Sequence, residues 1–380
     1  MKITVAIDSF KGSISSLEAG EAVERAALSV FPDANVSVIP LADGGEGTVA
    51  AIHYAVGGTI HKLSVKGPLG DRVNAEYCIL PSGVAVIEMA SAAGITLIQQ
   101  DKRDPKIATT YGVGELILDA ISRGCRKFVV GIGGSATNDG GAGMLSALGY
   151  KLLNKHGEHI PLGAIGLSEL DKIIKTSVSP ELSECEFTVA CDVKNPLIGP
   201  NGASCVFGPQ KGADSNDVVI LDKCLEHFSD IVLKTFCKDH SYTEGAGAAG
   251  GLGFAFISFL GAKLTSGISL VTDYLGLEEH IKCSDLVITG EGRLDSQSSM
   301  GKAPIGVASI AKKYDKPVVA FAGSVSSDAS VCNNFGIDAF FSIAQGACSL
   351  TEAMDKHNAT RNLQHTAEQA LRLFAVSSKI

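Results

Sequence analysis

The sequence lacks several patterns by which broad protein classes are recognised. Its ten cysteines form no C-x-x-C pair and have no metal-like spacing with histidine, which argues against a structural zinc site. Lys and Arg (32) are outnumbered by Asp and Glu (41), the net charge is −9, and no long basic run occurs. A nucleic-acid partner is therefore not expected, because such surfaces need clustered cations.

Signals for export or membrane insertion are also missing. No apolar signal core precedes Asp8, and with unpaired thiols this predicts a cytoplasmic protein. The stretch 245–262 is eighteen residues long and carries no charge, but six of its residues are glycine. Since a membrane span needs ~20 strongly apolar residues, we expect a buried glycine loop followed by a helix, and no membrane partner.

Familiar catalytic signatures are absent as well. The stretch "SMGKAP" at 299–304 has Gly-Lys, but Ala303 replaces the Ser or Thr of a phosphate-binding P-loop, and the upstream glycine is missing. No H-E-x-x-H, G-x-S-x-G or protein-kinase motif set occurs, and nine scattered histidines offer no obvious general base. Chemistry is therefore expected from carboxylates, Lys and Arg, which suits metal-assisted phosphoryl transfer.

Apolar segments such as "ITVAI" and "KFVVGIGG" alternate with helix-like segments, which predicts an α/β fold with mainly parallel strands. Ser15 and Glu18 fit a capping box at the start of the first helix, and "GAGMLSALGYKLL" predicts a later helix. Turn signals between Val65 and Ile98 predict antiparallel pairing. We expect a discontinuous domain, residues 1–65 and 285–380, with a second α/β domain inserted at 66–284.

Four loops share one design, in which an apolar strand is followed by glycine and by acidic, amide or hydroxyl side chains. A fifth, "CDVKNPL" at 191–197, has one acid at the strand end. In parallel sheets the carboxyl ends of strands face a common crevice where ligands bind, so these loops are expected to converge. Ordinary helix caps, glycine turns and surface ion pairs remain alternatives for each. The four loops are "DSFKGS" (8–13), "ADGGEGT" (42–48), "GIGGSATNDGGAG" (131–143) and "TGEGRLDSQS" (289–298).

The loop "GIGGSA" also fits the dinucleotide pattern G-x-G-x-x-A and follows a strand. An acid closing a second strand about 20 residues on should hold the ribose. Glu158 lies near that distance, but in the loop-like stretch "NKHGEHI". An NAD-dependent oxidoreductase acting on a small hydroxy acid therefore stays an alternative, as does a non-catalytic sensor of sugar acids.

Eight stretches together resemble the bacterial glycerate kinase family, of the type that phosphorylates the 2-hydroxyl. The resemblance implies ATP-dependent phosphorylation of D-glycerate to 2-phosphoglycerate with Mg²⁺. It also implies a discontinuous flavodoxin-like or Rossmann-like parallel-sheet domain, an inserted mixed-sheet α/β domain, and an active site between them. The oligomeric state is open, with a homodimer as one alternative. The stretches are "DSFKGSISS", "PLADGGEGT", "EMASAAGI", "TTYGVGELI", "GIGGSATNDGGAGML", "CDVKNPLIGPNGASCVFGPQKGA", "GAGAAGGLG" and "LVITGEGRLDSQSSMGKAPIGVA".

Such a reaction needs a triphosphate cradle, a metal and a cation near the transferred group. Lys11 or Lys211 could supply the cation. Asp192, Glu291 and Asp295 are the candidate metal ligands, since Mg²⁺ prefers hard oxygen donors. The expected cradle residues are Gly133, Gly134, Ser135, Thr137 and Asn138.

The acceptor needs a base beside its hydroxyl and a partner for its carboxylate. Asp8 is our candidate for the base, and Asp192, Lys11 and Lys211 complete the predicted catalytic set. The carboxylate of glycerate favours a two-pronged guanidinium, so Arg293 is preferred and Arg72 is second. Ser9, Asp43 and Glu46 are the remaining candidates for contact with the substrate.

Overall fold

The computed structural model describes residues 1–175, 178–296, 298 and 302–377, which form two compact units. Unit 1 contains Met1–Asp43, Ala50–Val56 and Ile268–Ile380, and unit 2 contains Gly44–Val49 and Gly57–Gly267. The strands are β1 (Lys2–Ile7), β2 (Asn35–Val38), β3 (Thr59–Lys66), β4 (Arg72–Ile79), β5 (Val84–Glu88), β6 (Lys127–Gly131), β7 (Lys151–Asn154), β8 (Leu170–Ile174), β9 (Glu186–Ala190), β10 (Lys263–Thr265), β11 (Leu286–Leu294), β12 (Val318–Val325) and β13 (Ala339–Ser342).

The α-helices alternate with these strands along most of the chain. Short 3₁₀ segments lie between several of the elements. The α-helices are α1 (Ser16–Val30), α2 (Thr48–Val56), α3 (Ala90–Ala93), α4 (Tyr111–Ser122), α5 (Ala142–Ala147), α6 (Ala203–Phe207), α7 (Ser215–Phe236), α8 (Ala248–Leu260), α9 (Gly267–Tyr274), α10 (Leu277–Lys282), α11 (Ala303–Lys312), α12 (Leu350–Met354) and α13 (Lys356–Ser377).

Unit 1 is built on a five-stranded sheet in the order β13-β12-β11-β1-β2, with every neighbouring pair parallel. Numbered within the unit alone, this is the order 2-1-3-4-5 of flavodoxin-like folds. The strand order reverses between β1 and β11, where Ile7 lies beside Gly290. Ligands of such folds bind at the carboxyl ends of the strands at this switch point.

The helices of unit 1 follow from local sequence chemistry. Ser15 and Glu18 form the capping box that starts α1, which confirms that prediction. Alanines and Val23 line the buried side of α1, and α13 packs against it. Leu363 and Leu371 of α13 are almost fully buried in the same core, and each contributes ~1.5–3 kcal/mol of hydrophobic stabilisation.

Unit 2 is built on a six-stranded mixed sheet in the order β10-β9-β6-β5-β4-β3. Strands β3, β4 and β5 pair antiparallel, whereas β5, β6, β9 and β10 pair parallel. Strands β7 and β8 form a separate antiparallel pair. The aromatic core includes Phe128 stacked on Phe187, with ring centroids 4.7 Å apart.

The α/β class, the parallel sheet and the mixed second sheet are confirmed, as is the antiparallel pairing after β3. The single helix expected from "GAGMLSALGYKLL" is wrong: α5 ends at Ala147, and Lys151–Asn154 is strand β7. The physical reason is Gly149, whose φ of +96° turns the chain out of the helix. The domain boundaries 65/66 and 284/285 stay predictions; strand β3 is hydrogen-bonded to β4 in unit 2.

The uncharged stretch 245–262 forms a glycine turn followed by a helix. Ala249, Gly250 and Gly251 have left-handed backbone angles, and most of the residues that follow in α8 are buried. A Cβ on Gly250 would lie 2.0 Å from the carbonyl oxygen of Thr137, so only glycine fits. Across the described residues, no helix combines the length and apolarity that a membrane span requires.

Candidate active site

A cavity of about 760 Å³ lies in unit 1 at the carboxyl ends of its central strands. Three carboxylates line it, and each follows or ends a different strand of the sheet. Asp8 follows β1, Asp43 follows β2, and Glu291 lies near the end of β11. The cavity therefore contains the switch point, and it brings together residues from three of the glycine loops singled out in the sequence.

Asp8 carries a buried carboxylate, and within the described residues only one of its two oxygens accepts a hydrogen bond. The backbone N–H of Ser9 donates to Asp8 Oδ1 at 2.7 Å, and the Asp8 N–H donates to the Gly290 carbonyl at 3.0 Å. Burial raises the pKa of Asp8 to about 7, and the negative charge of Asp43 adds to the rise. Lys11 opposes it. Near neutral pH this carboxylate can therefore exchange a proton.

Lys11 forms an ion pair with Asp43 at the edge of the cavity, with Nζ 2.7 Å from Oδ2. Partial loss of hydration works against the charge of Lys11, but the carboxylates of Asp43, Asp8 and Glu291 raise its pKa above the usual value. Its side chain is 64% exposed. The ammonium is therefore charged, and it is accessible to an anionic ligand.

A second charged cluster lies on β11 and the segment that follows it. Lys302 Nζ is 3.7 Å from Glu291 and 4.0 Å from Asp295, while Arg293 Nε is 3.2 Å from Asp295. The hydroxyl of Ser298 donates to Glu291, and burial raises the pKa of Glu291. The alternative that these residues only form a surface ion pair therefore fits Arg293, whose side chain is 69% exposed, better than it fits the buried Glu291.

Lys302 is a cavity residue that sequence reasoning missed. The Gly-Lys pair of "SMGKAP" is the available signal, although the stretch does not fit a P-loop. Residues 297 and 299–301, which belong to this segment, lie outside the described residues.

In unit 2, two of the predicted glycine loops contact each other. The Gly133 N–H donates to the Gly44 carbonyl at 3.3 Å. A Cβ on Gly133 would lie 2.8 Å from the Gly45 Cα, and one on Gly131 would lie 2.4 Å from the Gly44 oxygen. No side chain fits between these backbones, which explains the glycines at the end of β6. Gly134 is exposed and has a φ of +75°.

Lys211 lies inside unit 2 behind this loop and is only 2% exposed. Its ammonium donates to Ser135 Oγ at 2.8 Å and to the Thr137 carbonyl at 2.7 Å. Burial lowers the pKa of Lys211 to about 7, against the opposing attraction of Asp139. Because the ammonium is enclosed by the loop, it can fix the loop's shape but has little access to a ligand.

Thr137 and Asn138 are fully buried, unlike Gly133 and Gly134. Asn138 Nδ2 donates to Ser204 Oγ at 3.0 Å, while Thr137 Oγ1 and Asn138 Oδ1 have no hydrogen-bond partner within the described part of the chain. In this conformation the two side chains support the loop from within, and the glycines and Ser135 form the part nearer the surface.

Asp139 is the main anchor of the same loop. Its Oδ2 accepts hydrogen bonds from the Thr110 N–H at 2.8 Å, the Thr110 hydroxyl at 2.9 Å and the Gly143 N–H at 3.1 Å. The Gly141 N–H donates to Oδ1. Burial raises the pKa of Asp139 despite these donors. The alternative that these side chains only cap the following helix fits Asp139, since α5 begins at Ala142 and the Gly143 N–H in its first turn donates to this carboxylate.

Other predicted site residues of unit 2 have local partners. Asp192, just after β9, accepts at Oδ1 from the Ser266 hydroxyl and the Gly267 N–H, both at 2.9 Å. Arg72 on β4 pairs with Glu115 at 2.9 Å, and Glu46 is exposed. Among the residues that the structure describes, no group of three or more His, Cys, Asp or Glu side chains is arranged to hold a metal.

The dinucleotide interpretation of "GIGGSA" has little geometric support. A fingerprint glycine loop opens directly into a helix whose amino terminus binds the pyrophosphate, but here α5 begins only at Ala142. Glu158 lies in the turn after β7, where its N–H donates to the Asn154 side chain. It is therefore not at the end of a strand beside the glycine loop.

Comparison with known proteins identifies the family. The model of the glycerate kinase family matches residues 3–375. A glycerate 2-kinase of Escherichia coli K12 is 51% identical over 354 residues, which is 93% of each chain. A glycerate kinase of Bacillus subtilis 168 is 49% identical, covering 97% of this chain and 96% of that protein.

A solved structure agrees with these sequence relatives. A crystal structure from Salmonella typhimurium LT2, which carries the provisional name glycerate kinase 2, superposes with a TM-score of 0.86. The two chains are 45% identical, and the match covers all of both. The family resemblance is thereby confirmed: the chain belongs to the glycerate kinase family of phosphotransferases.

Proposed function

We propose that the chain transfers the terminal phosphoryl group of ATP to the 2-hydroxyl of D-glycerate, with Mg²⁺, giving 2-phosphoglycerate and ADP. Family membership supports glycerate phosphorylation in general. The observation that carries the finer proposal is the carboxylate of Asp8, which is buried at the switch point with a pKa of about 7. It lines the same cavity as the exposed ammonium of Lys11.

Asp8 is the proposed general base. A base works best when its pKa is close to the working pH, because it is then largely ionised yet still accepts a proton readily. The Ser9 N–H occupies Oδ1, which leaves Oδ2 to accept the proton of the 2-hydroxyl as the oxygen attacks phosphorus. The bond to the leaving ADP oxygen breaks in the same displacement.

Cations on two segments would stabilise the charge that this displacement redistributes. Lys11 and Lys302 both line the cavity, and each is paired with carboxylates that keep it oriented. Arg293 lines the same cavity and is our candidate for binding the carboxylate of glycerate. Arg72 is the weaker candidate, since it pairs with Glu115 and does not line this cavity.

Glu291 and Asp295 would hold Mg²⁺, because both carry hard oxygen donors at the end of β11. Asp192 is the alternative ligand, although its Oδ1 already accepts two hydrogen bonds. With no cluster of three acidic ligands in the described chain, phosphate oxygens and water would complete the coordination, as is usual for this ion. When bound, Mg²⁺ offsets the negative charge of the phosphates.

The backbone amide of Gly134 and the hydroxyl of Ser135 are the proposed cradle for the triphosphate, while Gly133, whose N–H donates to the Gly44 carbonyl, shapes the loop. Thr137, Asn138 and Lys211 would support this loop rather than contact phosphate, given their burial. The location of the site between two domains, the homodimer and the cytoplasmic location stay predictions.

The direct test is proton-coupled ³¹P NMR of the product formed from ATP and D-glycerate. A phosphate on the 2-oxygen couples to one proton and gives a doublet, whereas one on the 3-oxygen couples to two and gives a triplet. We expect the doublet, formed ~10²–10⁴-fold more slowly by Asp8→Asn. A triplet would overturn the assignment to the 2-hydroxyl, and the absence of any phosphoglycerate would overturn the kinase function.

A further inference from the structure

The unit 1 cavity has a second wall that the roles above do not use. It is formed by the segment after β13 and by α12, and its apolar lining residues include Ile343, Leu350, Ala353 and Met354. We call these four residues the apolar wall. This segment lies outside the eight stretches that carry the family resemblance, so no motif predicts its part in a site.

The cavity is larger than the volume that a glycerate molecule would fill. Glycerate has only seven non-hydrogen atoms, whereas cavities of ~300–1,000 Å³ bury ligands of drug size. At about 760 Å³ the cavity lies within that range. Its carboxylates and cations are sufficient for a three-carbon acid, so the apolar wall is available to a larger and less polar group.

We propose that the apolar wall binds the purine nucleoside part of ATP. This inference rests on the proposed function, because it assigns a place to one of the two substrates. A purine ring has apolar faces, which Leu350 and Met354 can cover, and a polar edge that needs hydrogen-bond partners. The amide of Asn362 lines the same cavity.

The backbone next to the wall can serve that polar edge. Gly346, Ala347 and Cys348 line the cavity and are exposed. Within the described ranges of the chain, their backbone amides make no hydrogen bond. Nucleotide sites commonly use such amides for orientation, with apolar side chains on the ring faces.

The apolar wall is also next to the proposed phosphate-binding cation. A Cβ on Gly12 would lie 2.8 Å from Met354 Cε, so the side chain of Met354 covers the loop that carries Lys11. Gly12 itself has a φ of +78°, which this tight loop requires. A nucleoside bound on the wall would thus have its phosphates within reach of the Lys11 ammonium.

The test is Leu350→Ser, because Leu350 is 75% exposed and its loss should leave the core intact. If the ring covers about half of this side chain, losing ~40 Å² of contact at ~25 cal/mol per Å² raises the KM for ATP about fivefold. The KM for glycerate should stay near that of the wild type. Leu373→Ser is the matched control: Leu373 is 67% exposed in the same unit and does not line the cavity.

Two competitors separate the nucleoside from the phosphates. Adenosine should inhibit Leu350→Ser more weakly than the wild type, whereas inorganic tripolyphosphate should inhibit both equally. An ATP KM within twofold of the wild type, or an equal loss of both inhibitions, would overturn the proposal while the wild type still phosphorylates glycerate. If the wild type forms no phosphoglycerate, the proposed function fails instead, and titration calorimetry of adenosine with both proteins then decides the nucleoside site.

Discussion

Replacing Asp8 by asparagine should make the protein more stable above neutral pH while it lowers activity. The pKa of Asp8 is about 7 in the folded protein, against an ordinary value of 3.8. The difference is about 3, and at ~1.4 kcal/mol for each pKa unit the ionised carboxylate costs up to ~4 kcal/mol of folding free energy. An amide also loses hydration when buried, so we expect a net gain of ~1–3 kcal/mol.

The sign of the effect depends on pH. Below about pH 4 the carboxyl is protonated in both states, so only the hydration cost of the buried amide remains, and Asp8→Asn should be less stable than the wild type by ~1–3 kcal/mol. Between about pH 4 and 7 the folded state binds the extra proton, and the contribution of Asp8 to stability falls as the pH rises. The advantage of Asp8→Asn should therefore grow over this window and become constant above pH 7.

Urea denaturation of wild type and Asp8→Asn at pH 4, 5.5, 7 and 8.5 measures this difference. Asp33→Asn is the control, since Asp33 is an exposed aspartate of the same unit. If Asp8→Asn were less stable than the wild type at pH 8.5, or if its advantage did not depend on pH, the carboxylate would not be desolvated as the structure indicates.

Three further predictions concern other parts of the chain. Arg293→Lys should raise the KM for glycerate about tenfold and change the KM for ATP much less, since an ammonium cannot replace the bidentate guanidinium. Equal changes in the two KM values would assign Arg293 to nucleotide binding instead. Lys211→Met should keep the fold but lower kcat/KM for ATP on the order of 10²-fold, because the loop loses the hydrogen bonds of Lys211 to Ser135 and Thr137; wild-type activity would contradict that role. Ser15→Ala should lower the free energy of unfolding by ~1 kcal/mol through loss of the capping box, and an unchanged urea midpoint would refute this.

Much of the fold could be predicted because its signals are local. Apolar strands, the Ser15 capping box and the turn signals after Val65 each act over a few residues. The helix expected across Gly149 is wrong because one left-handed glycine ends it, and the short stretch "KLL" is equally compatible with a strand. Such short apolar runs do not distinguish the two structures.

The site was less predictable because burial depends on the whole fold. Lys11 and Lys211 are both lysines next to glycine, yet one is exposed and the other is enclosed. The burial of Thr137 could not be predicted either: the sequence places its hydroxyl in a candidate phosphate-binding loop, but the side chain is buried. The apolar wall escaped notice since its residues lack a motif and belong to the site only through packing.

The central claim is that Asp8 accepts the proton of the glycerate hydroxyl, and the pH dependence of kcat/KM for glycerate tests it most directly. The wild type should lose activity below a pKa near 7, and Asp8→Asn should be slower by ~10²–10⁴-fold with that acidic limb removed. An Asp8→Asn variant that stays within tenfold of the wild type and keeps the same acidic limb would contradict the claim.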